Sequence, residues 1–223
     1  MTASSETLFT VPLYTFAEAD RLGNVRTGTA KRWLVGYRDE TQKDGVVVRP
    51  PVSNACSPNG VSFWDLIEVI VVGQLRKAGF SLQLIRRIHR NCQQLFQVER
   101  PFVSLSLKVG GREIFVSVQD VLVEVGKKRG QQAWTEVIGP FLEDIDYEAN
   151  LAASWWPLGH DGGVLVDPRY GFGRPVISGK GVRTEIIREH FEAKSSIHQI
   201  AEDFNLTADQ VEAALRFEFS RVA

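Results

Sequence analysis

Sulfur chemistry has little to work with in this chain, whose 223 residues include two cysteines and one methionine. Cys56 and Cys92 lie far apart and outside any Cys-x-x-Cys pattern, which argues against a disulfide scaffold or a thiolate zinc site and for two thiols in a reducing cytosol. Histidine is scarce as well. His89, His160, His190 and His198 show no ligand spacing with cysteine or carboxylate, so neither a metal nor a cofactor is expected. Long apolar runs are missing: the longest, Ile67 to Gly73, is broken by Glu68 and is far short of the roughly 20 residues that span a bilayer. Met1 to Thr10 is polar and lacks the basic region and apolar core of a secretory signal. A cytoplasmic protein with no membrane partner is the expectation. No Ser-His-Asp or paired-carboxylate pattern is legible. Ser178-Gly179-Lys180-Gly181 fails as a phosphate loop, because Walker spacing needs glycine where Arg174 stands and Ser or Thr where Gly181 stands. The chain is therefore read as a binding protein, not an enzyme.

The net charge of −1 conceals an asymmetry. Through Arg100 bases exceed acids by four, and beyond it acids exceed bases by five. The first half is suited to a polyanion and the second to something else.

The stretch Thr15 to Tyr37 organises the rest. Thr15 and Glu18 have capping-box spacing and open a short helix whose Ala17, Ala19 and Leu22 let a second helix cross closely. Gly23-Asn24 supplies the turn. Thr27 is expected to cap a second helix, with Ala30, Trp33 and Leu34 on its inner face. Gly28, Thr29, Lys31 and Arg32 lie on the opposite face and Arg26 in the turn, an arrangement that suits a major groove. Tyr37, Arg38, Lys43 and Arg49 surround a polar loop with Asp44-Gly45 as its turn, which predicts a hairpin wing.

Ser62 precedes a helix whose Phe63, Leu66, Ile67, Ile70, Val71 and Leu75 form a stripe wide enough for full burial. Gly79 ends it, and Ser81 starts another that carries Arg86, Arg87 and Arg90 on its polar side. These arginines read equally as a solvated face or as phosphate contacts. Val103, Leu105, Leu107 and Val109 alternate, Gly110-Gly111 form a two-residue turn, and Ile114, Val116 and Val118 alternate back, which predicts a β-hairpin. Helices are expected from Val118 to Val125 and around Gln132 to Ile138. Glu143, Asp144, Asp146 and Glu148 read as a solvated acidic run, and Trp155-Trp156 as a buried joint. Val164 to Asp167 and Val176-Ile177 read as paired strands. A helix follows from Thr184, then two more opened by the capping boxes Ser196/Gln199 and Thr207/Gln210. The last presents Asp209, Glu212 and Glu218 against Arg216, a surface that phosphates would repel.

Two resemblances emerge. Tyr14-Thr15, Glu18-Ala19, Leu22, Val25, Arg32-Trp33, Gly36-Tyr37, Ser62 to Leu66 and Leu75 to Ser81 resemble the MerR-type winged helix-turn-helix over roughly the first hundred residues. Val166 to Pro168, Gly173 to Ile177, Gly181 to Arg183, Ile200 to Phe204, Leu206-Thr207 and Val211 to Leu215 resemble the small bacterial domain of unknown function 433. Lys194 stands where that domain commonly has glycine. Together with Trp155-Trp156-Pro157-Leu158-Gly159, the combination resembles the longer VapB-type antitoxins of actinobacteria.

The resemblance implies an α+β, mostly helical chain. It would comprise a flexible arm (1–11), a MerR-like winged helix-turn-helix (12–100), a central β-hairpin and helix region (101–160) and a three-helix, helix-turn-helix carboxy-terminal domain (161–223). It implies an antitoxin that neutralises a PIN-like ribonuclease toxin and represses its own operon as a homodimer. Arg26, Thr27, Thr29, Lys31 and Arg32 would enter the operator groove, and Arg38, Lys43 and Arg49 would hold phosphates. Arg174, Lys180, Arg183, Asp209, Glu212 and Arg216 would face the toxin. The alternative is a MerR-like one-component regulator with a small-molecule effector in the central region.

Overall fold

The structure, a computed structural model, describes residues 3–40, 47–110 and 134–220. Contacts gather the chain into two units, residues 1–142 with 147–152 and residues 143–146 with 153–223, where the sequence suggested an arm and three segments.

The first unit is built around one helix. Ser62 caps α4 (Phe63–Lys77) in a reciprocal capping box with Asp65. Twelve of its fifteen residues are buried, as an all-round apolar helix requires. The expected flexible arm is instead helical as α1 (Ala3–Thr10), and its Phe9 is buried against the rings of Phe63 and Trp64, with centroids 5.9 and 5.8 Å away. One large aromatic side chain is enough to fix such a segment, since burying it removes on the order of 150 Å² from water.

Thr15 and Glu18 form the expected box at the start of α2 (Phe16–Leu22). The second helix, α3 (Thr29–Leu34), does not start as expected: its cap position is Gly28, at φ 80°, not Thr27. Strands β1 (Tyr37–Asp39) and β2 (Val47–Arg49) pair antiparallel, with Arg38 opposite Val48. The expected turn at Asp44-Gly45, and Lys43 with it, lies outside the described residues. Gly79, at φ 89°, ends the segment after α4, and Ser81 caps α5 (Leu82–Phe96).

The alternating run at 103–109 is not a strand. Pro101–Val103 is a single 3-10 turn, and residues 105–110 are helical. Alternation would place Val103, Leu105, Leu107 and Val109 on one face. Instead Val103 and Leu107, four apart, are buried while Val109 is 79% exposed, so the helical period prevails over the strand period. The returning half of that hairpin and the helix expected at Val118 to Val125 lie outside the described residues. The helix expected around Gln132 to Ile138 is a π-helical turn, Trp134–Ile138, continued by α6 (Gly139–Glu143). The acidic run is also ordered: β3 (Ile145–Glu148) and β4 (Leu151–Trp155) form a hairpin around Ala149-Asn150, at φ 49° and 67°, the geometry of a primed two-residue turn.

In the second unit β5 (Val164–Leu165) pairs antiparallel with β6 (Val176–Ile177), as expected. Helices α7 (Thr184–Glu192), α8 (Ile197–Asp203) and α9 (Ala208–Phe219) pack Ile187, Ile200, Val211, Ala214 and Leu215 over Ile177. Both capping boxes form. Lys194 takes φ 73° at the turn where the commoner pattern has glycine. Of the tryptophan pair only Trp155 is buried, and Trp156 is half-exposed. Among the described residues no helix is long and apolar enough to cross a membrane.

Candidate nucleic-acid interface

Gly28 has no side chain to cap α3, and a buried carboxylate from the preceding helix does so instead. Asp20, 3% exposed, accepts hydrogen bonds from Gly28 N at 2.6 Å and Ala30 N at 2.7 Å. A carboxylate on the first amides of a helix satisfies their hydrogen bonds and opposes the partial positive charge there. The other end of α3 is closed by the chain beyond the wing: Val52 N donates to Trp33 O at 2.7 Å and Ala55 N to Leu34 O at 3.2 Å. The free face of α3 is thereby set. Ala30, Trp33 and Leu34 are buried, Thr29 is half-buried, and Lys31, Arg32 and Val35 are exposed. Arg26 and Thr27 are exposed in the turn before it.

The two cations diverge. Lys31 Nζ lies 5.9 Å from the Phe16 ring of α2, and Arg32 Cζ lies 5.3 Å from the Tyr37 ring of the wing. Attraction to the ring faces holds each extended side chain along one edge of the helix. Arg38 is exposed on β1. Arg49 is only partly available, because its guanidinium lies 3.8 Å from the Asp39 carboxylate across the hairpin.

Of the basic residues on α5, Arg86 is not a phosphate contact in this structure. Its Nη2 donates to Pro50 O at 2.6 Å and its Nε to Pro51 O at 3.2 Å, tying α5 to the segment that leaves β2. Arg87 and Arg90 remain exposed. Gly36, at φ 80°, permits the close approach of the wing to α3, since a Cβ there would stand 2.6 Å from Arg49 O.

Sequence reasoning missed Asp20 and Arg100. Asp20 lies eight residues before the amide it caps, beyond any local capping pattern; the only hint is an uncapped glycine where a polar cap belongs. Arg100 Nη1 donates at 3.0 Å to Asp65, a carboxylate that also accepts from Ser62 and Cys56 amides. Burial works against the Arg100 charge, but the Asp65 carboxylate outweighs it and raises the guanidinium further above its usual value.

The residues expected to face a toxin fall into two groups. Arg174, Lys180 and Arg183 surround β6, with Lys180 Nζ donating to Asn205 O at 2.7 Å and Arg183 as the cap residue of α7. Asp209, Glu212 and Arg216 are exposed on α9. Glu218 is not on that surface: it is 1% exposed and accepts from Thr184 Oγ1 at 2.6 Å. Glu202, Asp203, Asp209 and Glu212 keep the α8–α9 elbow anionic in its absence.

Comparison with known proteins matches both halves. Residues 12–88 match a family described as "Putative DNA-binding HTH domain", and residues 164–217 match DUF433, a family described as of unknown function. Over 94% of this chain and 95% of the relative, the sequence is 30% identical to "Putative antitoxin VapB45" of Mycobacterium tuberculosis. The chain belongs to the VapB45 family. An uncharacterised protein of the same organism, Rv2308, is 24% identical over 92% of this chain and 89% of its own. The crystal structure of Rv2018, also from M. tuberculosis, superposes with a TM-score of 0.69 at 25% identity, covering 93% of this chain and 99% of that one. This VapB45-family chain thus carries a helix-turn-helix domain at its head and a DUF433 domain at its tail.

Proposed function

We propose that the protein is a cytoplasmic, non-enzymatic antitoxin that binds operator DNA as a two-fold dimer and neutralises a PIN-like ribonuclease, repressing its own operon. The head would dock as a MerR-like winged helix-turn-helix, with half-sites about 34–36 Å apart or a multiple of that. The observation that carries this reading is the free face of α3, on which Lys31 and Arg32 are exposed while Asp20 holds the helix from behind. Arg26, Thr27 and Thr29 extend that face, and Arg38 with the remaining reach of Arg49 supports it from the wing. The tail would hold the nuclease, because its anionic elbow repels phosphate.

Lys31→Ala combined with Arg32→Ala tests the division of labour. Operator affinity should fall, and the slope of log affinity against log salt should shrink by about 1.8, at about 0.9 per phosphate contact. Stable recovery of a neighbouring-frame nuclease should be unchanged. Footprinting that places the DNA contact on the tail would overturn the reading.

A cavity of about 590 Å³ in the first unit, lined in part by Cys56, Trp64, Val98, Arg100 and Leu151, favours a second reading, a one-component regulator with a small effector. That reading predicts operator release by a metabolite and no nuclease partner.

A further inference from the structure

Between β5 and β6 three consecutive residues occupy the left-handed region: Gly171 at φ 56°, Phe172 at φ 57° and Gly173 at φ 76°. Glycine takes such angles freely, whereas a bulky residue held there marks strain imposed by its surroundings. Burial does not offset that strain, because Phe172 is 77% exposed and Tyr170 55%. The loop is nevertheless firmly set. A Cβ on Gly171 would stand 2.8 Å from Val176 Cγ1, so the backbone lies directly against β6. Buried Asp167 accepts from Arg169 N at 2.8 Å and from its guanidinium at 2.9 and 2.7 Å. Gly173 N donates to Tyr170 O and Arg174 N to Gly171 O, at 3.0 and 3.1 Å. An aromatic side chain displayed on so fixed a loop has little ordering cost left to meet on binding.

A cavity of about 440 Å³ opens beside the loop, walled by Trp156, Leu165, Tyr170, Val176 and Ile177, with Ser178 to Gly181 as its rim. Residues 168–184 include four bases, Arg169, Arg174, Lys180 and Arg183, and no acid.

We propose that this loop and cavity are the contact for a protein partner that seats an apolar side chain in the cavity within an acidic rim, with Phe172 as the inserted anchor. The proposal rests on the antitoxin reading and locates the nuclease contact beside β6 rather than on the exposed face of α9. A nucleobase suits the cavity poorly. Only Ser178 and Lys180 bring polar side chains to it, so the polar edge of a base would be buried largely unpaired, whereas an aliphatic or aromatic side chain carries no such penalty. A polyanion would also need the arginines unengaged, and Arg169 is committed to Asp167.

The test uses the full-length chain and, as probe, the purified nuclease of the neighbouring reading frame. Phe172→Gly should weaken binding by about tenfold or more, as loss of an aromatic anchor does. It should leave the melting temperature unchanged or raise it, because glycine relieves the left-handed strain. Tyr170→Ala should weaken the same complex and leave operator binding intact. Equal binding by wild type and Phe172→Gly overturns this proposal and leaves the antitoxin reading standing, while no binding by wild type overturns both. Loss of a labelled single-stranded RNA on Phe172→Gly, with nuclease binding intact, would assign the loop to nucleic acid and overturn it as well.

Discussion

Asp20→Ala should loosen α3 without altering any residue on its free face. The carboxylate is 3% exposed and receives two backbone hydrogen bonds, at 2.6 and 2.7 Å. A hydrogen bond to a charged group contributes about 1.5–3 kcal/mol, and deletion of a capping residue costs about 0.5–2 kcal/mol. These overlap, so about 2–4 kcal/mol is the expected loss at α3. A helix of six residues is far below the roughly 12–15 residues that persist in isolation, and the loss should appear as local opening. Hydrogen exchange at the Gly28 and Ala30 amides should accelerate about 30- to 1000-fold, at tenfold per 1.4 kcal/mol. Exchange within α4 should change little. Asp20→Asn, which keeps one acceptor, should fall between, and operator affinity should decline in the same order. Wild-type protection of both amides in the alanine variant would refute the capping argument.

Further consequences concern two other carboxylates. Asp65 has no side-chain exposure and pairs with Arg100 while closing the capping box of α4. Asp65→Ala leaves a largely buried guanidinium uncompensated and should cost about 3–5 kcal/mol in urea unfolding; a loss below about 1 kcal/mol would contradict it. Asp146 answers to pH. Burial pushes its carboxyl up, but hydrogen bonds from Ser154, Trp156 and His160 outweigh that and hold it below the ordinary range. Its folded value lies below its unfolded one, so its contribution is present above about pH 4 and fades as pH falls through the lowered value. With 48% of the side chain exposed, the effect should stay under about 1 kcal/mol. Asp146→Asn should flatten the acid limb of thermal melting, and an unchanged limb would exclude this role.

Elements encoded by neighbouring residues were legible in the sequence. The boxes Thr15/Glu18, Ser196/Gln199 and Thr207/Gln210 each join residues three apart, and each appears where its spacing requires. The apolar stripe of α4, the paired strands β5 and β6 and the basic face of α3 follow from periodicity in the same way. Where one pattern fits two structures, the chain alone does not choose: Val103 to Val109 alternates like a strand, yet Val103 and Leu107 are buried as on a helix. The acidic run around Asp146 likewise read as solvated until Ser154, Trp156 and His160 met it across and beyond the hairpin.

Tertiary structure alone decided which charges remain for partners. Sequence determined that Arg26, Lys31, Arg32, Arg86 and Glu218 are charged. Only packing placed Arg86 on the carbonyls of Pro50 and Pro51, sank Glu218 beneath α7 and supplied Asp20 as the cap of a helix that has no cap of its own. Helical and strand periods act over a few residues and can be read along the chain. Burial and hydrogen bonding between distant residues depend on which surfaces meet, and that is settled only when the chain folds.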